Sequence, residues 1–145
     1  YEIRLSLVGS EMCIRDSSRD AAQDTIQIMR ASRAEEIGGV IHCYSYSKES
    51  ARDFLNMGFY FGIGGVVTFK NAKKLKEAVA YIPLSNIVLE TDAPYLTPEP
   101  FRGKRNDSSK LTYVAQAIAD IKQIPVDEVY AETWKNAHQM YKIQK

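Results

Sequence analysis

Three side chains in this sequence have the types and spacing to do chemistry together. His42 sits in the apolar run "VIHCY", and Glu90 and Asp92 sit in "VLETDAP". An imidazole nitrogen and carboxylate oxygens are suitable ligands for a divalent metal. A metal held this way lowers the pKa of bound water and polarises a phosphoryl oxygen. Alternation along an extended strand places Glu90 and Asp92 on one face and Thr91 on the other, provided the strand stays regular as far as Asp92. Plainer readings compete. A lone histidine in an apolar strand is commonly a hydrogen-bonded core residue, and "TDAP" also reads as a turn into Pro94. Two ligands also fall short of the three or four that a metal usually needs.

Other residues deserve the same double reading. In "FRGKRN", Arg102, Lys104 and Arg105 surround Gly103 and suit contact with phosphate; the alternative is a solvated loop. Alternation turns Cys43 to the opposite side of its strand from His42, which makes it a core residue and not a reactive thiolate. His138 reads as surface or packing. Tyr44, Tyr46 and Tyr95 suit either a pocket wall or packing.

Strands and helices must position these groups. "SRDAAQDTIQIMRASRAEE" reads as a helix with Ala22, Ile26 and Met29 on one face. "GGVIHCYS", "FYFGIGGVV" and "NIVLETDAP" read as three short strands, apolar on consecutive residues and so buried on both faces of a parallel sheet. Between them lie two helices. The first, "SKESARDFLNMG", has Ser47 as N-cap, Ala51, Phe54 and Leu55 inward, and Gly58 as its stop. The second, "NAKKLKEAVAYIP", has its cap near Asn71, with Leu75, Val79 and Ile82 apolar and Pro83 ending it. A long polar loop, "YLTPEPFRGKRNDSS", precedes two closing helices. Their apolar positions are Leu111, Val114, Ala115, Ile118 and Ile121, then Val129, Ala137 and Met140. Alternating βα units leave an open doubly wound sheet or a TIM barrel, and three strands are too few to close a barrel of eight. Ligands in both architectures bind at the carboxyl ends of strands, where His42, Glu90 and Asp92 fall.

Composition narrows the function classes. The 145 residues are 45% hydrophobic and 26% charged, values of a globular domain with a core. A net charge of +1 excludes a strongly basic nucleic-acid coat, but not a local phosphate site. No apolar run approaches the roughly 18 residues of a membrane span, and no signal-peptide order opens the chain. Cys13 and Cys43 offer no disulfide framework, which fits a reducing compartment, with the cytosol as default.

With these residues in view, "GGVIHCYSYS", "GFYFGIGGVVTFKNAKKLKE", "IPLSNIVLETDAPYLTPEPFRGKRN" and "ETWKNAHQMY" resemble, in order and spacing, the C-terminal half of the TatD family. These are metal-dependent hydrolases and deoxyribonucleases on an amidohydrolase-like TIM barrel. The resemblance runs from Ser18 to about Tyr141. It implies two divalent metals, with Mg²⁺, Mn²⁺ and Zn²⁺ all open. The implied ligands are an HxH pair on the first strand, a later Glu, a His opening an "HSRDA"-like motif, the His of "HCF/YS" and the Asp of "ETDAP". His42 and Asp92 carry the last two, with Asp92 also orienting or deprotonating the attacking water. Ser17 stands where the "HSRDA" histidine would fall, and the pair and the Glu have no counterpart, so two of the six implied ligands are present. Tyr46 replaces a usual Gly and would reshape the loop after His42.

The resemblance therefore implies an α/β fold, roughly the second half of a (β/α)₈ barrel of about 250 residues, over 18–145. The parent would be a deoxyribonuclease hydrolysing phosphodiester bonds in DNA, with RNA as a second candidate substrate, and with Arg102 and Lys104 binding substrate. The piece alone would be inactive. No membrane and no obligate protein partner are expected. Two alternatives stand beside this reading: a related barrel hydrolase of amides or lactones, and a non-enzymatic α/β domain that binds through Arg102 to Arg105.

The stretch 1–17 departs from all of this. "LVGSEMCIRDS", Leu7 to Ser17, back-translates to a sequence containing AGATGTGTATAAGAGACAG, which resembles the end of a transposase-type sequencing adapter. The expectation is that residues 7–17, and by extension 1–6, are translated adapter, which would leave Cys13 without function.

Overall fold

The computed structural model describes residues 22–143. The stretch 1–17 and the motif Ser18 to Ala21 lie outside them. Helices and strands alternate in the expected order: α1 (Ala22–Ala31), β1 (Val40–Ile41), α2 (Lys48–Asn56), β2 (Tyr60–Ile63), α3 (Lys73–Tyr81), β3 (Ile87–Leu89), α4 (Leu111–Lys122) and α5 (Val126–Met140). The strands form one parallel sheet in the order β1-β2-β3. Val40 and Ile41 pair with Tyr60 and Phe61, while Phe61, Gly62 and Ile63 pair with Ile87, Val88 and Leu89.

Consecutive burial confirms the reading of the strands. Phe61 and Ile63 are inaccessible, and so is Ile87, with its neighbour Val88 also buried. The apolar strands give way to polar groups at their carboxyl ends: β1 stops before His42 and β3 before Glu90. Helices α2, α3, α4 and α5 supply Phe54, Val79, Ile118 and Val129 to one continuous core with the strands. Burying a side chain of this size contributes about 1.5–3 kcal/mol.

The local signals account for several boundaries. Ser47 caps α2, its Oγ accepting from Ser50 N. Gly58, at φ 76°, ends the same helix. There Gly58 N donates to Leu55 O and Phe59 N to Phe54 O, the paired bonds of a Schellman motif. Ile82 turns to extended backbone ahead of Pro83, as a residue before proline prefers. Two expectations need correction. Asn71 does not cap α3; the helix starts at Lys73 after Ala72, because Phe69 to Ala72 are taken up in a turn closed by Ala72 N on Phe69 O. The first helix stops at Ala31, where Ser32 Oγ accepts no cap role but bonds back to Ile28 O, and Arg33 then takes a left-handed φ of 54° before a 3-10 turn at Ala34–Glu36.

Helix α5 is tied to the sheet by a residue whose type hides its role. Asn136 is buried, and its Nδ2 donates to Leu84 O and Ile87 O, both at 2.8 Å, fixing the entry to β3. His138 lies on the same helix, its ring tilted at 46° against the exposed Trp134 with 4.3 Å between ring centres. Among the described residues, no helix is long and apolar enough to cross a membrane.

Candidate active site

The residues after β1 and β3 converge, although β2 lies between them. His42 Nε2 is 3.4 Å from Glu90 Oε2 and 3.5 Å from Asp92 Oδ1. These separations are long for hydrogen bonds, so the three groups face one another without closing on each other. The approach across β2 depends on glycine. A Cβ on Gly62 would stand 2.0 Å from Glu90 Oε2, inside any tolerable contact. Any larger residue at this point of β2 would occupy the space through which Glu90 reaches His42.

The backbone turns sharply on both sides. Cys43 has φ 49° and Asp92 has φ 57°, the left-handed region that non-glycine residues seldom adopt. Strained backbone of this kind persists where the surroundings over-determine it, as at functional sites. Hydrogen bonds do so here: Tyr44 N donates to Gly62 O, and Glu90 N to Ile63 O, extending the ladder past each strand. Glu90 and Asp92 do share a side, and Thr91 turns away, its Oγ1 accepting from Ala93 N at 3.2 Å.

Cys43 corrects the alternation argument. It does not face away from the site: its Sγ donates to Asp92 Oδ2 at 3.1 Å. Alternation fails because β1 has ended at Ile41 and Cys43 is no longer extended. The Asp92 side chain, only 3% exposed, thus meets the imidazole through one oxygen and the thiol through the other.

Two carboxyls packed against one imidazole leave excess negative charge. Glu90 is pushed up to about 8, chiefly by burial and then by the Asp92 carboxylate, against a lowering contribution from the Cys43 N–H. Its Oε1 is buried with no hydrogen-bond partner among the described residues. An orphaned carboxylate oxygen beside a second carboxylate and an imidazole nitrogen is a donor set that suits a divalent cation. The number of ligands is the limit. Among the described residues, no group of three or more His, Cys, Asp or Glu is arranged to hold a metal ion on its own.

The long loop after Asp92 folds back as a second feature. Asn106, a residue that sequence reasoning passed over, is its clamp. Its Nδ2 donates to Thr91 O at 2.6 Å and Tyr95 O at 2.7 Å, and its backbone N to Pro94 O at 3.0 Å. Thr97 Oγ1 bonds Lys104 O across the same loop. Gly65 permits the close approach beneath, since a Cβ there would lie 2.0 Å from Leu96 O. The result is an open cavity of about 650 Å³ walled by Phe69, Tyr95, Leu96, Arg102, Lys104 and Arg105. His42 and Asp92 do not line it, so the metal-type ligands and the basic loop are neighbours along the chain rather than one cavity. Of the three tyrosines, Tyr95 lines this cavity, whereas Tyr44 is core, edge-on to Phe61 at 5.0 Å, its hydroxyl donating to Ser47 O. Tyr46 packs beside it on Phe54.

Comparison with known proteins identifies the family. The family model described as TatD related DNase matches residues 18–142. The uncharacterized metal-dependent hydrolase YabD of Bacillus subtilis (strain 168) is 47% identical over 126 residues, covering 87% of this chain and 49% of that protein. The uncharacterized metal-dependent hydrolase YcfH of Escherichia coli (strain K12) is 40% identical, covering 87% and 48%. The crystal structure of YjjV, a TatD homologue from Escherichia coli K12, matches with a TM-score of 0.74 at 26% identity, over 88% of this chain and 48% of that one. The chain spans about half the length of the curated relatives it matches.

Proposed function

The chain belongs to the family of TatD related DNases, and from that premise we propose that it carries part of the active site of a metal-dependent phosphodiesterase acting on DNA or RNA. The observation that carries the reading is the convergence of His42 Nε2 on the carboxyl groups of Glu90 and Asp92 at the ends of parallel strands. His42 and Asp92 would hold a divalent metal, for which Mg²⁺, Mn²⁺ and Zn²⁺ are all suitable. A cation there supplies Lewis acidity to a phosphoryl oxygen and lowers the pKa of water. Asp92 would orient that water and take its proton, and the Cys43 thiol, donating to Asp92 Oδ2, steadies the carboxylate. Arg102 and Lys104 hold the substrate backbone by its phosphates.

In this reading the 18–145 region is roughly the second half of a (β/α)₈ barrel, and the remaining ligands belong to a first half outside this chain. The consecutive strand order β1-β2-β3 is that of neighbouring barrel strands and equally of one side of a doubly wound sheet. On this view the 145-residue chain by itself is inactive, and residues 1–17 are translated adapter. The start of the family match at residue 18 supports the latter, and different codons in the underlying nucleotide record would refute it.

The deciding experiment assays the full-length parent with Mn²⁺ on DNA and, in parallel, on lactone and amide substrates. Cleavage of DNA is expected. Turnover of lactones or amides without DNA cleavage would replace the phosphodiesterase reading with the related hydrolase.

A further inference from the structure

The cavity of the long loop contains a group that phosphate binding does not use. Tyr95 is 61% exposed, although its main chain is tightly held. Tyr95 N donates to Asp92 O at 2.9 Å, and Tyr95 O accepts from the buried Asn106. The ring therefore projects from a fixed point, three residues beyond the carboxylate that faces His42. It forms no aromatic stack with any described residue, unlike Phe101, which meets Tyr113 at 5.2 Å. A large exposed aromatic on a fixed backbone is a poor solvent-facing residue and a good platform.

Its surroundings specify what would rest on it. The Arg102 guanidinium lies 4.5 Å over the Phe69 ring, which holds it along the cavity wall. Lys104 Nζ lies 5.8 Å from the Phe101 ring centre. The ion pairs of the described residues are formed elsewhere, so Arg102, Lys104 and Arg105 have no carboxylate partner among them. Three cations without counter-charge and one open π-face line a cavity of about 650 Å³, within the roughly 300–1,000 Å³ of small-molecule sites. Cations that track a phosphate backbone beside an aromatic that accepts a base are the combination that binds an unpaired nucleotide.

We propose that Tyr95 is a base-stacking platform: it takes the face of one nucleobase while Arg102, Lys104 and Arg105 hold the adjoining phosphates. The inference rests on the nucleic-acid reading above and assigns a positioning role to a residue outside the metal-type cluster. Stacking on Tyr95 sets the distance at which the neighbouring phosphodiester is presented to the Asp92 side of the turn. Because every base has a π-face, the platform discriminates base from no base, not one base from another.

The test uses the 145-residue chain and needs no catalysis. Fluorescence anisotropy at low salt compares a five-nucleotide oligothymidylate with an abasic sugar–phosphate oligomer of equal charge. The chain should bind the oligothymidylate more tightly. Tyr95→Ala should weaken that binding by roughly 5- to 150-fold, the loss of one base–aromatic stack, and leave the abasic oligomer unaffected. Tyr95→Phe should retain the native affinity, and circular dichroism should report the same fold in all three proteins. Equal affinity of the native chain for both oligomers, or undiminished oligothymidylate binding by Tyr95→Ala, would overturn the platform and leave phosphate binding standing. Failure of the native chain to bind either oligomer would remove the basic-loop reading and this inference with it.

Discussion

Gly62 and Glu90 occupy what is sterically a single position: the carboxylate of Glu90 fills the volume that a side chain at Gly62 would take, 2.0 Å from where the Cβ would be. This relationship joins the fold to the site. It lets a residue beyond β3 reach a residue beyond β1 over the intervening strand, and it makes the middle strand's smallest residue a requirement of that convergence. Gly62→Ala should therefore destabilise the chain by about 1–3 kcal/mol, the range for overpacking a filled site. The double variant Gly62→Ala with Glu90→Ala should recover part of that loss. Urea denaturation of the two singles and the double measures the coupling, and additive losses would deny the contact.

Glu90 also gives the metal-free chain a pH dependence of unusual sign. Its folded pKa of about 8 lies above the ordinary 4.5, so the folded state holds a proton that the unfolded state has released. Stability should consequently fall as pH rises between about 4.5 and 8, by at most about 1.4 kcal/mol per pH unit, one proton's share. Below that window the contribution is complete. Denaturation in chelator across the range should show the decline, and Glu90→Gln should flatten it.

Asn106 holds the turn at Asp92 and the basic loop in register through two side-chain donations. Asn106→Ala strips the partner from Thr91 O and Tyr95 O and should cost about 1–3 kcal/mol. Hydrogen exchange should speed up over residues 91–106, with α5 unaffected. Unchanged protection in that loop would show that the clamp is not what orders it.

Arg102 and Lys104 are assigned to phosphates, and phosphate contacts have a characteristic salt response. Each of Arg102→Ala and Lys104→Ala should flatten the slope of log affinity against log salt by roughly 0.7 for single-stranded nucleic acid. Binding measured from low to moderate salt checks it. A native slope in either variant would remove that residue from the contact.

Much of this was legible in the sequence, for reasons that can be assigned residue by residue. Consecutive apolar runs marked the strands because parallel strands are covered on both faces, as the adjacent Ile87 and Val88 of β3 are. Ser47 and Gly58 read correctly because capping chemistry is local. His42 and Asp92 stood out as polar residues ending apolar strands. Cys43 was misplaced because period-2 alternation was carried two residues past the end of β1, into left-handed backbone. Asn106 and Asn136 were missed because their buried donations are made to carbonyls 11 to 52 residues away, a separation that no local pattern encodes. Gly62 looked like any strand glycine; only the third dimension puts Glu90 above it.

The central claim is that His42 and Asp92 are metal ligands, and the most direct test is calorimetric titration of Mn²⁺ into the full-length parent and two variants. His42→Ala and Asp92→Asn should each weaken Mn²⁺ binding by roughly 10-fold or more, since even second-shell changes at metal sites cost about 10- to 100-fold. Native Mn²⁺ affinity in both variants would contradict the assignment.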